Sequence, residues 1–129
     1  MFFNAIAMAQ RPKKVYGCEV WRTLDWMLDE DKVPLNVGGH DNLASALSGI
    51  FDSQIAGGKR YDLATQARRR ANATFFESHE VDRYTMLAFA MDLTPLVANE
   101  SRDIVEYVTG FIEEFKADVR RKLNQRLGR

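Results

Sequence analysis

The chain has 129 residues, 46% of them apolar, which is the size of one domain and enough to furnish a core. Basic and acidic side chains balance at 18 each, so no global field draws the protein toward nucleic acid or a membrane surface, and an electrostatic partner has to be recognised locally. The one cysteine, Cys18, excludes an intramolecular disulfide framework and fits a reducing cytoplasm.

The opening MFFNAIAMAQRPKK sets an apolar run before its charges, the reverse of a secretory signal, and is too short to span a membrane. It reads as the end of a core helix closed by Pro12, and a chain that starts inside such a helix reads as part of a larger domain. Residues 13–21 (KKVYGCEVW) are rich in β-branched and aromatic side chains, and residues 32–38 (KVPLNVG) alternate Val33, Leu35 and Val37. Two short strands are predicted there, the second at a sheet edge or strand start because Pro34 has no N–H to give to a ladder. The acidic stretch between them reads as a turn region or a single helical turn.

From Asp41, a plausible N-cap, the signal turns helical, with Leu43, Leu47, Ile50 and Phe51 spaced as one buried face. Gly57 and Gly58 stop that helix. A second helix is expected over residues 61–76, with Ala64, Ala67 and Ala71 as a narrow packing face and a basic opposite face. RYTMLAFAMDL reads as a third, mostly buried helix that Pro95 ends or kinks. The last helix is the clearest: Ile104, Val108, Phe111, Ile112, Phe115, Val119, Leu123 and Leu127 recur at helical spacing. Two strands make no independent sheet, so further strands or a partner chain are required.

Self-contained metal chemistry finds little support in these residues. A catalytic zinc takes three protein ligands converging on one point, and the two histidines, His40 in GGHDN and His79 in ESHEVD, form no His-Glu-x-x-His run or similar spacing. His40 stands where a turn or cap is expected. KRYDLATQARRR brings together Lys59, Arg60, Arg68, Arg69 and Arg70, which could grip phosphate, carboxylate or nucleic acid. Consecutive arginines on a helix point about 100° apart, however, so the three cannot line one groove, and at least one is expected to pair with Asp52, Asp62 or Glu77. No Gly-rich phosphate loop and no Ser-His-Asp pattern is present.

Three blocks in order, VYGCEVWRTLDWM, LASALSGIFDSQIAGGKRYDLATQARRRANATFFESHEVD and FAMDLTPL, resemble the C-terminal half of the PIG-L (LmbE-like) family of N-acetylglucosamine-type deacetylases. The resemblance covers about residues 11–96. Ser53-Gln54 matches the family's Ser-Gln, Arg68 to Arg70 match its arginine helix loosely, and FFES places Glu77 at the glutamate of an aromatic corner by the active-site rim. The family's zinc-binding Ala-His-Pro-Asp-Asp-like run, with its general base, and its mid-chain histidine have no counterpart in this sequence.

The resemblance implies the C-terminal part of a Rossmann-like three-layer α/β/α sandwich, mostly helical in this segment with about two strands, and one partial domain over residues 1–129. It implies a chain truncated at an internal methionine or naturally shortened, whose zinc ligands lie in an N-terminal half. The implied activity is zinc-dependent amide hydrolysis on an N-acetylated sugar or glycoconjugate, with this chain alone inactive and binding no metal. The residues here would then serve the sugar pocket: Glu19, Trp21 and Arg22 after the first strand, with Arg68, Glu77 and His79 at the corner. Location in the cytoplasm, no membrane span, no nucleic-acid partner and either a homo-oligomer or association with the missing half complete the expectation. A reading of another class is a non-catalytic assembly module completed by a partner chain.

Overall fold

The computed structural model describes residues 12–19, 23–50, 52–76, 81 and 83–129, which form a mixed α/β architecture. Strands β1 (Tyr16–Cys18), β2 (Val33–Asn36) and β3 (Leu87–Asp92) make a small antiparallel sheet in the order β1-β3-β2. Helices α1 (Asp41–Gly49), α2 (Asp52–Ala56) and α3 (Tyr61–Phe76) precede β3, and α4 (Thr94–Ala98) and α5 (Ile104–Leu127) follow it. Pro34 lies on an edge strand, as its missing N–H requires. The apolar segment over residues 1–11 is outside the described residues.

The chain divides into two compact units, Met1–Val33 with Ala90–Arg129, and Pro34–Phe89. In the first, β1 pairs with the end of β3 in the register Tyr16↔Asp92, Gly17↔Met91 and Cys18↔Ala90. A Cβ on Gly17 would sit 3.1 Å from Leu93 Cδ1, so the bare backbone lets the strand pass close to that side chain. The acidic stretch forms a 3-10 turn at Asp29–Asp31. Among the described residues of this unit, Met27, Ala90 and Met91 are buried and apolar. In the second unit Ala73 of α3 is buried, as are Leu87 and Ala88 of β3. Asn72 Nδ2 donates to the Leu87 carbonyl at 3.1 Å, and the Phe76 and Phe89 rings meet at 5.7 Å.

Several expectations are corrected here. The segment around residues 87–92 is a strand: Leu87, Ala88, Ala90 and Met91 are buried with Phe89 and Asp92 half-buried, which gives no helical or alternating period, and periodicity alone does not separate such a strand from a buried helix. The sheet accordingly has three strands. Pro95 lies in the first turn of α4, where its fixed φ and missing N–H are suited. Leu43, Leu47 and Ile50 are exposed along and just after α1, and α3 packs through Asn72, Ala73 and Phe76 while Ala64, Ala67 and Ala71 stay exposed. His40, one residue ahead of the expected cap, holds the N-cap position of α1 without a side-chain hydrogen bond.

Candidate functional site

Of the six residues expected in a sugar pocket, two lie in the described structure. Glu19 follows β1 in the first unit, half-buried, with one carboxylate oxygen shielded from solvent. Arg68 is half-buried in the middle of α3 in the second unit. Trp21, Arg22, Glu77 and His79 are outside the described residues. Ser53 is exposed on α2 beside Gln54.

The basic helix is organised from its N-terminus. Arg60, just before α3, holds Asp62 with two parallel hydrogen bonds of 3.0 and 2.7 Å. That geometry fixes the guanidinium plane, and the hydrogen bond from Arg60 lowers the Asp62 carboxyl to about 2. A carboxylate in the first turn also faces the positive end of the helix dipole. Arg68 and Arg69 are half-buried and Arg70 is exposed, so the triplet spreads around the helix as the 100° rotation demands. A pocket built on α3 would therefore draw on one or two of the arginines rather than all three.

A second polar cluster closes the end of β3 in the first unit. Asp92 Oδ1 accepts from the Thr94 backbone at 2.8 Å, Thr94 Oγ1 accepts from Val15 N at 3.1 Å, and the Tyr107 hydroxyl donates to the Asp92 carbonyl at 2.7 Å. Hydrogen bonds from the Thr94 side chain and backbone lower the Asp92 carboxyl, whereas burial, then the nearby Asp92 charge, raises the Tyr107 phenol. Phe111 meets the Tyr107 ring edge-on at 5.2 Å, and the Arg102 guanidinium lies 4.8 Å from its centroid. Sequence reading missed this cluster. Its signal was Asp-x-Thr-Pro, an acceptor two residues before a helix start.

The residues in view do not fit a zinc site, because among the described residues no three His, Cys, Asp or Glu side chains come together to hold a metal ion. No helix among them is long and apolar enough to cross a membrane. The sequence matches no family model, no curated protein and no solved structure.

Proposed function

We propose that the chain is the C-terminal, substrate-side part of a PIG-L-type zinc-dependent N-deacetylase that acts on an N-acetylated sugar in the cytoplasm. The ordered resemblance of its three blocks motivates the reading. The observation that carries it is uncovered apolar surface in the second unit: Leu43, Leu47 and Ile50 at α1, and Leu63 and Phe75 on α3, are exposed beside the arginine helix in sequence. Side chains of that size in such number are surface that further polypeptide covers in a larger Rossmann-like sandwich. Zinc, its ligands and the water they activate belong, on this reading, to residues outside this chain.

The chain's own part is to bind and orient the sugar. Arg68 donates to hydroxyl or carboxylate oxygens from a half-buried position that limits its rotamers. Trp21 offers a face for stacking on the sugar ring, and Glu19, Glu77 and His79, with Arg22, supply the directional hydrogen bonds that distinguish one sugar from another. The test is acetate release from N-acetylglucosamine compounds in the presence of zinc. The chain alone is expected to be inactive, and activity is expected on adding the N-terminal half of the domain, falling at least tenfold with Arg68→Ala or Glu77→Ala. Turnover by this chain alone that disappears in Glu77→Ala and His79→Ala would overturn the assignment of catalysis to a missing half. The other class, a non-catalytic assembly module, is favoured by one observation of its own, the exposed apolar face of α5.

A further inference from the structure

α5 carries more apolar surface than its own unit covers. Successive residues on a helix turn by about 100°, so Tyr107, Val108, Phe111, Phe115 and Asp118 share one side, and all five are half-buried. On the adjacent side Val105, Ile112, Val119 and Leu123 line up along the helix. These four are exposed, from 39% at Val119 to 66% at Val105, and Leu127 continues the stripe to the helix end. The stripe therefore runs the length of a 24-residue helix, about 36 Å at 1.5 Å per residue.

The charges along α5 are sorted by position. Asp103, Glu106, Glu113 and Glu114 occupy the first half, and Arg120, Arg121, Lys122 and Arg126 the second. Within the helix Lys116 pairs with Glu113, and Asp118 with both Arg121 and Lys122, which leaves the halves of opposite sign. Two such helices laid parallel set like charge on like. Laid antiparallel, the acidic half of each faces the basic half of the other, twice, about a two-fold axis.

We propose that a second copy of this chain covers the stripe, α5 against α5 in antiparallel orientation, with Ile112 and Val119 at the centre of the contact. An anionic membrane surface would suit the basic half, but Glu106 and Glu113 flank the same stripe and oppose it. One helix face about 36 Å long and 10 Å wide is a small interface, so dimerisation is concentration-dependent, on the order of micromolar.

Sedimentation of the full chain from about 1 to about 100 micromolar tests this, a span that brackets such an affinity. The wild type is expected to shift from 14.8 kDa toward twice that mass, and Val119→Glu/Leu123→Glu to remain monomeric. Glu106→Lys/Glu113→Lys alone and Arg120→Glu/Arg126→Glu alone are each expected to be monomeric, and an equimolar mixture of the two to regain the dimer. Far-UV circular dichroism of each variant separates lost association from a lost helix. A wild-type monomer throughout, a dimer indifferent to all three variants, or a monomer that co-sediments with phosphatidylserine vesicles would each overturn the proposal.

Discussion

Tyr107→Phe removes one hydroxyl and leaves the Asp92 carbonyl without its donor while keeping the ring against Phe111. The expected cost is about 1 kcal/mol, the net worth of a hydrogen bond lost without a cavity, read as a lower urea midpoint at unchanged slope. Asp62 gives a pH signature instead. Its folded carboxyl titrates near 2 against an ordinary value of 3.8, so its contribution is fully present above about pH 4 and is lost as the pH falls toward 2. The stability gap between wild type and Asp62→Asn, measured by urea unfolding from pH 6 downward, is therefore expected to close across that window; a constant gap would mean the Arg60 pair contributes nothing. Both residues are plain in the sequence, but only one of their partners is. Arg60 and Asp62 stand two apart and were readable as a pair, whereas the Tyr107 acceptor is a backbone carbonyl 15 residues away that only the fold brings near.

Helices with a strong local signal were readable to their ends, and the buried strand was not. α3 occupies the expected residues 61–76. α5 begins where Asp103 accepts from Val105 N at 2.7 Å and Glu106 N at 2.9 Å, and stops at Gly128 with φ 67°, a left-handed cap that glycine adopts without a steric penalty. Asp103→Ala is expected to cost about 1 kcal/mol and to lower the helical signal of the first turn, observable as faster amide exchange at Val105 and Glu106; unchanged exchange there would contradict the cap's role. β3 failed as a helix prediction because its first five residues, LAFAM, are all apolar and are buried or half-buried, a pattern that states burial without stating period. The faces were misjudged for a related reason. Apolar spacing on α1 marks a surface suited to burial, and only a neighbouring segment decides whether it is buried.

For the whole molecule, the sequence carried the α/β class and the helical majority, and the resemblance carried the proposed chemistry. The sugar pocket was less readable: Glu19 and Arg68 belong to different units, and the other four expected residues lie outside the described structure. What the structure adds is a set of uncovered apolar faces, on α1 and α3 in one unit and on α5 in the other. The first set is assigned to the rest of a deacetylase domain and the second to another copy of the chain. The two assignments are separable, since a dimer through α5 is expected with or without zinc chemistry. The proposed deacetylase role is tested most directly by sequencing the coding DNA upstream of the Met1 codon and reading it in frame. An uninterrupted extension that encodes a His-Pro-Asp-Asp-like run is expected; a stop codon close upstream would contradict a deacetylase role.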